Sequence, residues 1–556
     1  MDDFKQDLKN IDKKRLYQSL FVLFLLITIP VGVRLASQTQ IFTPKAQDAD
    51  NIQALTNQLL EAKRDYEQPS VFERIGVMST DPEDKISRMV STATIRKEAL
   101  EKQAIDNPKA FLENATLSST RASFPVQVQP LLEENIETEG KLTVSHLDIQ
   151  GRDEAETSYL LNEGSYTLIF SKDPPEVVSD SIVKVKGVAV GAIMVDDPLF
   201  ITPPPPSEIK GEIRVAVFLI STSPQIQPDI TTEEVKDIMF TNFESVNNFY
   251  KETSFNQTSI SGEVFGPFDI PNGEPCNNKT LMSLAKNAET LATNQGVDLN
   301  QFSKRMYVIT PKNAVCGDGG LAFLGGNPGR AWIFANRLTG LYAHELGHTL
   351  GLHHSGATTR CASLPNFNES QCSPFAEYGE STVMGASQPL IHFNGPQKQA
   401  LGWIPPSRIQ TVNKSGAYTL FPIEYLSPIA ITTSGKQILK IAKPDTSQYY
   451  YLSYKQNFGF DSPFVVNEVM TRGASIYIWN EDSASPTRLI AAQAPNSPYD
   501  IQNYALADGD SFIDNQNGIT VKQISHSAIF VNVEINIPNP TPTAIPKIES
   551  KFPLPD

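Results

Sequence analysis

The sequence predicts a central α+β domain flanked by two all-β domains, with a transmembrane helix near the N-terminus. Three observations support this fold class. An apolar stretch lies close to the N-terminus, short alternating runs of β-branched residues occupy both flanks, and the centre mixes apolar strands with an amphipathic helix. The chain has 556 residues, of which 40% are hydrophobic, so it is long enough for roughly three folded units.

The N-terminal segment 16–36 is apolar and close to the lower length limit of a membrane-spanning helix. Basic residues precede it at five positions: Lys5, Lys9, Lys13, Lys14 and Arg15. This charge bias places residues 1–15 in the cytoplasm and the rest of the chain outside. A cleaved signal peptide is the alternative, although Arg34 lies where a signal peptidase favours a small side chain. We therefore expect a membrane-anchored protein with its folded domains outside the cell, or a secreted protein if the segment is removed.

The rest of the chain divides by composition. In chain order, the predicted segments are a helical stalk or lead-in (37–120), a small β-barrel or sandwich (121–201), a proline-rich linker (202–208), a mixed α/β domain (209–405), a second β-sandwich (406–537) and a proline-rich tail (538–556). The linker contains "TPPPPS", which favours a stiff, extended backbone. The α/β domain opens with the apolar strand "EIRVAVFLIS" and continues with an amphipathic helix capped by Thr231 or Thr232.

The charge of the chain argues against nucleic acid as a partner. The formal net charge is −16, and no Lys/Arg-rich run offsets it. The acidic stretch "DGDSFIDNQ" in the second β-sandwich raises the question of calcium, but its spacing is not that of an EF-hand loop, so a solvated turn is favoured. No feature of the sequence indicates an oligomeric state.

Four cysteines lie beyond the apolar segment, and an even number in an exported region predicts two disulfides. Four cysteines allow three pairings. Cys361 with Cys372 would close a short loop, which leaves Cys276 with Cys316.

The segment "HELGHTLGLHH" (His344–His354) predicts a catalytic zinc site. His344 and His348 are four residues apart and so lie on one face of a helix, which Thr339 can cap. Gly351 is suited to end that helix and to turn the chain so that His354 reaches the same metal. Three neutral imidazoles leave a fourth position open for water, as in catalytic zinc sites. Glu345 is offset by one residue, so it can act on that water as a general base without being a ligand.

The alternative interpretation is a helix that carries histidines on a polar face, but this does not explain the glutamate or the glycine. The full pattern H-E-x-x-H-x-x-G-x-x-H, followed by "STVMG" with Met384, is the arrangement of the metzincin metallopeptidases and their Met-turn. The adjacent His353 is surplus, and His146, His392 and His526 are expected to be ordinary. The fold class is therefore a metzincin-like catalytic domain at 209–405 between two β domains.

The stretch "GLAFLGG" ahead of the helix fits the edge strand to which metzincin substrates add in antiparallel fashion. The residues predicted for this substrate-binding edge are Leu321, Ala322, Phe323 and Leu324. A plain glycine-rich loop is the alternative.

The chain resembles the gametolysin family of metzincin peptidases in "VCGDGGLAFLGGNPGRAWIF", in the histidine segment, in "EYGESTVMG" and in "FNGPQKQALGWI". The resemblance implies a secreted or surface zinc endopeptidase that acts on extracellular or cell-wall protein. Two departures matter. Ala386 stands where some metzincins have a tyrosine near the metal; Tyr378 is a candidate replacement, although a buried structural tyrosine is favoured. No cysteine precedes Cys276, so latency through a propeptide cysteine is not expected.

Two other functions compete with a zinc endopeptidase. The first is a surface adhesion or binding protein that keeps the peptidase fold without turnover, which the intact Glu345 disfavours. The second is hydrolysis of a non-peptide amide, which only the family resemblance disfavours.

Overall fold

The computed structural model describes residues 49–538 apart from internal gaps, which are 69–80, 150–153, 197–199, 204–208, 224–225, 227, 272–276, 312–318, 335–336, 359–364, 373–375, 387–388, 425–434, 465–467, 482–484 and 491–504. The predicted tail 1–15 and membrane anchor 16–36 lie outside the described residues. Among the helices that are described, none is both long and apolar enough to cross a membrane. The anchor therefore stays a prediction.

The chain forms two compact units that divide after Glu134. The described part of the first unit consists of helices α1 (Ala49–Glu67), α2 (Pro82–Asp106), α3 (Pro108–Asn114) and α4 (Ser118–Ala122), and a 3₁₀ helix at Gln129–Leu131. Apolar side chains from α1, α2 and the following loops form a core that includes Leu59, Met89 and Phe124. Arg96 is buried, and its guanidinium forms an ion pair with the Glu133 carboxylate, with Nη1 at 2.7 Å from Oε2. The region predicted as a stalk or lead-in thus has its own packed core.

The second unit begins with six strands, β1 (Glu134–Ile149), β2 (Glu156–Leu161), β3 (Tyr166–Phe170), β4 (Ile182–Val190), β5 (Ile193–Asp196) and β6 (Phe200–Thr202). Strands β1, β2, β3, β5 and β4 are hydrogen-bonded in that order, and β4 also pairs with β1. These five strands therefore close into a small barrel. Its interior is apolar and includes Leu142, Val144 and Leu168.

The central domain surrounds the histidine segment. Its elements are β7 (Gly211–Ser221), α5 (Thr232–Lys236), a π-helical turn (Asp237–Thr241), α6 (Val246–Thr253), β8 (Thr258–Asp269), α7 (Asn278–Asn294), a 3₁₀ helix (Leu299–Gln301), β9 (Lys304–Thr310), β10 (Gly319–Phe323), β11 (Gly329–Phe334) and α8 (Thr339–Thr349). The strand order is β10-β11-β9-β7-β8, with β10 antiparallel to β11 and the other pairs parallel. Strand β7 is an almost continuous apolar run because apolar clusters cover both faces of the sheet.

Strand β10 also pairs with β1, so the barrel and the central domain share one sheet of eleven strands. The pairing is antiparallel and places Asp148 opposite Gly320. Strand β10 consequently has a neighbour on each side.

In its described residues, the C-terminal region contains α9 (Gly395–Ala400), four 3₁₀ helices and two sheets. The 3₁₀ helices are Glu369–Gln371, Pro406–Arg408, Gly459–Asp461 and Val469–Thr471. The strands are β12 (Ser355–Thr358), β13 (Asn366–Phe367), β14 (Ile409–Thr411), β15 (Gly416–Leu420), β16 (Ile438–Ala442), β17 (Tyr449–Tyr454), β18 (Ala474–Trp479), β19 (Thr487–Ile490), β20 (Ser511–Asp514), β21 (Ile519–Ser527) and β22 (Phe530–Asn536).

The two C-terminal sheets have the orders β12-β19-β18-β17-β16-β14 and β13-β20-β21-β22-β15. Side chains from both sheets, such as Leu452 and Val533, belong to one apolar core, so the sheets form a sandwich. Strands β12 and β13 come from the segment directly after the histidines. The predicted boundary at 405/406 is therefore not a structural one, because the sandwich takes two of its strands from the central domain.

Candidate metal centre

Helix α8 and the turn after it bring the three predicted metal ligands together. The helix begins after Leu338, which makes no side-chain cap, so the predicted capping role of Thr339 is wrong. At the other end, Gly351 has a φ of +94°, and its N–H donates to the His348 carbonyl at 2.8 Å. The Leu352 N–H donates to the Gly347 carbonyl at 3.3 Å, which completes a Schellman motif. This left-handed turn reverses the chain and carries His354 back to the helix.

Each of the three imidazoles makes a hydrogen bond through its Nδ1 atom. His344 Nδ1 lies 2.6 Å from the Val383 carbonyl oxygen, and His348 Nδ1 lies 2.7 Å from the Leu352 carbonyl oxygen. Because a carbonyl only accepts, these two nitrogens carry the proton and the Nε2 atoms carry lone pairs. His354 Nδ1 donates to the Glu377 carboxylate at 2.9 Å. A carboxylate behind a ligating imidazole is a common arrangement that orients the ring towards a metal.

The three Nε2 atoms converge. His348 Nε2 is 3.1 Å from His344 Nε2 and 3.0 Å from His354 Nε2. Tetrahedral zinc with Zn–N bonds of ~2.0–2.1 Å sets its nitrogens roughly 3.3–3.4 Å apart, so the spacing fits one zinc ion. Burial lowers the pKa of His348 to about 4, which keeps its ring neutral, as a ligand must be. Burial also lowers the pKa of His354, but Asp148 and Glu377 outweigh it and raise that pKa to about 10. The two carboxylates therefore favour a positive charge at the centre, and a metal cation would supply it.

Glu345 is fully buried next to the imidazoles, and in the described part of the chain neither carboxylate oxygen has a hydrogen-bond partner. Strand β10 leaves room for it, because a Cβ at Gly320 would lie 2.2 Å from Glu345 Oε1. Burial raises the pKa of Glu345, and the nearby Asp148 carboxylate raises it further. An unengaged, buried carboxylate beside a metal centre is suited to accept and return a proton.

Met384 lies beneath the histidines in a tight turn. A Cβ at Gly347 would be 2.4 Å from the Met384 sulfur, so the turn packs directly against α8. The Met384 carbonyl accepts from the Ser355 N–H at 2.8 Å, and the adjacent Val383 carbonyl is the one that holds His344. This turn supports the ligands by packing and by one hydrogen bond to a ligand ring.

Asp148 of β1 is a site residue that the sequence analysis missed. Its Oδ2 lies 3.3 Å from His344 Nε2 and 3.4 Å from His348 Nε2, and its Oδ1 lies 3.1 Å from His354 Nε2. The ligand atoms of these four residues all lie within 4.8 Å of one another. Burial alone would raise the pKa of Asp148, but the three histidines lower it overall. No sequence signal marks this residue, since it stands in an alternating strand far upstream.

Tyr378 also belongs to the centre. Its ring contacts His354 with centroids 4.8 Å apart, and its hydroxyl donates to Asp148 Oδ1 at 2.5 Å. Tyr378, for which a structural role was favoured, thus lies in direct contact with the residues of the centre, and its role stays a prediction. Burial and the adjacent carboxylates of Asp148 and Glu377 raise its pKa, so the hydroxyl keeps its proton and acts as a donor.

His146, which was expected to be ordinary, adjoins the metal site together with the surplus His353. His146 Nε2 is 3.2 Å from His353 Nδ1, and the His146 ring stacks on His348 with centroids 5.1 Å apart. His392 and His526 lie elsewhere, where they pair with Glu252 and Asp508.

The predicted substrate edge is not free in this structure. Strand β10, which contains Leu321, Ala322 and Phe323, pairs with β1 as well as with β11, and the Leu324 N–H donates to the Val144 carbonyl at 2.8 Å. The expectation of an open edge is therefore wrong for this structure, because the chain supplies its own antiparallel partner strand.

The described residues include one of the four cysteines for which disulfides were predicted. Cys372 is disulfide-bonded. Cys276, Cys316 and Cys361 lie outside the described residues, so its partner and the second pair stay predictions. In the segment considered for calcium, Asp514 accepts from Tyr450 and Asn517, and Asp508 pairs with His526. That segment does not contribute to any of the potential metal-binding groups of the described residues.

Three inward-facing imidazoles, a buried glutamate and a methionine turn define a centre of the metallopeptidase class. Residues 213–462 match the family model of gametolysin peptidase M11, which confirms the resemblance for that segment. The chain is also similar to the zinc metalloproteinase-disintegrin-like atrase-A of Naja atra, with 22% identity over 201 residues, or 34% of this chain and 32% of that protein. The match thus spans about a third of that relative. The family match extends past residue 405, in agreement with the shared strands of the sandwich.

Proposed function

We propose that the chain is a zinc-dependent endopeptidase of the metzincin type that hydrolyses peptide bonds of extracellular or cell-wall proteins. One observation carries the proposal: three Nε2 atoms converge beside the buried, unengaged carboxylate of Glu345. The metallopeptidase matches support the reaction class. The basic residues ahead of segment 16–36 support the extracellular location.

The residues that would hold zinc are His344, His348 and His354. A zinc ion bound there would supply Lewis-acid polarisation of a substrate carbonyl and a pKa of water lowered towards ~7. Glu345 is adjacent to His344 on α8 and has no described donor on its oxygens. It therefore accepts the proton of the attacking water and then delivers it to the leaving amine.

Tyr378 would assist as a donor. Ala386 offers no hydroxyl at the position where some metzincins have one, whereas the Tyr378 hydroxyl already reaches the centre through Asp148. In the Asp148→Ala variant, where its present acceptor is absent, this hydroxyl would be placed to donate to the oxygen that becomes negative when the carbonyl is attacked.

The test is a cleavage profile of the zinc-loaded chain against a library of peptides, with and without a chelator. We expect cleavage that the chelator abolishes, either in the unaltered chain or in the Asp148→Ala variant discussed below. Zinc binding without cleavage in both proteins would instead support a binding protein that retains a peptidase fold.

A further inference from the structure

We propose that the structure shows a latent enzyme, in which β1 occupies the substrate edge and Asp148 is the fourth protein ligand of the metal. The inference rests on the proposed function, because it assigns a form of regulation to the same site. It would make the N-terminal barrel an intramolecular inhibitor.

The first argument is the position of the carboxylate. Its two oxygens face all three Nε2 atoms at 3.1–3.4 Å, on the side of the centre that the histidines leave open. Three imidazoles and one carboxylate complete a four-coordinate zinc sphere, whereas a catalytic site needs one position for water. With Asp148 in place, that position is taken.

The second argument is the charge. Asp148 and Glu345 are both buried, and in the described part of the chain Asp148 Oδ2 and both Glu345 oxygens have no hydrogen-bond partner. Two carboxylates buried side by side are costly unless a cation lies between or beside them. A metal bound by the three histidines and Asp148 supplies that cation.

The third argument is the strand. Ser145–Ile149 pair with Gly319–Phe323 in antiparallel register, in the direction expected of a bound substrate. A second backbone contact covers the residue after β10, since the Ser179 N–H donates to the Leu324 carbonyl at 2.7 Å. A peptide substrate cannot pair with β10 until β1 has left it. In this proposal the bond from Asp148 to the metal anchors β1 on β10, so removal of that carboxylate lets the strand leave.

The fourth argument is a link between ligand and inhibitor. Glu377 accepts from His354 through Oε1, and its Oε2 accepts from the Ala155 N–H, directly before β2, at 2.7 Å. Tyr378 next to it donates to Asp148. The same short segment therefore stabilises a metal ligand and the inhibitory strand, and both of its contacts to the barrel become free when β1 leaves.

The test uses the full chain loaded with cobalt(II), whose visible spectrum reports the ligands of the metal. Unaltered protein, Asp148→Ala and Glu137→Ala are titrated with acetohydroxamic acid. Glu137 is the matched control, because it lies on the same strand but is half-exposed and pairs with Lys184 at 3.2 Å. Asp148→Asn keeps the side-chain volume and replaces Asp148→Ala if the alanine variant does not fold.

We expect Asp148→Ala to bind the hydroxamate at least about tenfold more tightly than the unaltered chain, because an internal ligand reduces apparent affinity by the fraction of open sites. Glu137→Ala should behave like the unaltered chain. Equal hydroxamate affinity in Asp148→Ala and the unaltered chain would overturn the latency inference. A tighter complex in Asp148→Ala without any peptide cleavage would leave the inference standing and refute the proposed peptidase function instead.

Discussion

Helix α8 and strand β1 meet at one metal centre but contribute to it in opposite ways. The helix and its C-terminal turn supply three imidazoles from eleven consecutive residues, each with a polar contact to its Nδ1 atom. The strand supplies a single carboxylate to the open side of the same centre. The first arrangement builds a site for reaction, and the second closes it. Ligand count alone therefore does not distinguish an active metal site from a latent one; what matters is whether a ligand can leave.

The most damaging change to this arrangement is His348→Ala. His348 is fully buried and its Nε2 lies 3.1 Å and 3.0 Å from the Nε2 atoms of His344 and His354, so its loss should remove the metal and all metal-dependent cleavage. Metal analysis after gel filtration measures the effect. His526→Ala, which alters a histidine of the C-terminal sandwich, is the control and should retain the metal. Full metal content in His348→Ala would mean that the ion binds elsewhere.

A smaller effect is expected from Glu377→Ala. His354 would lose the carboxylate that orients its Nδ1, and such supporting groups are worth roughly 10-fold to 100-fold in metal affinity. Competition with a chromogenic chelator gives the affinity. Glu534→Ala, an exposed glutamate on β22, should not change it. An unchanged affinity in Glu377→Ala would show that the Schellman turn alone positions His354.

The smallest effect on metal binding is expected from Tyr378→Phe. In the Asp148→Ala background, loss of one hydroxyl donor to the developing oxyanion should lower kcat by roughly 10²–10³-fold, with metal affinity retained. In the Asp148-containing chain, the same change removes a hydrogen bond to the inhibitory carboxylate and should favour hydroxamate binding. Steady-state kinetics and the cobalt spectrum separate the two roles. If kcat stays the same in the open background, Tyr378 acts only on Asp148.

The contrast between α8 and β1 also explains what the sequence could predict. The spacing of His344, His348 and His354 is local, so helix geometry and a glycine turn were enough to bring these residues together. Asp148 reaches the centre only because β1 pairs with β10, and a strand sequence does not identify its distant partner. The 405/406 boundary was wrong for the same reason, since β12 and β13 pair with strands far along the chain.

The most direct test compares Asp148→Ala with the double variant Asp148→Ala/Glu345→Ala, each loaded with zinc. Glu345 is not a metal ligand in this account, so both proteins should contain the same amount of zinc. We predict that the single variant cleaves peptides and that the double variant is slower by roughly 10²–10⁴-fold, the usual contribution of a general base. Equal cleavage rates in the two proteins at equal zinc content would contradict the assignment of Glu345 and, with it, the proposed reaction.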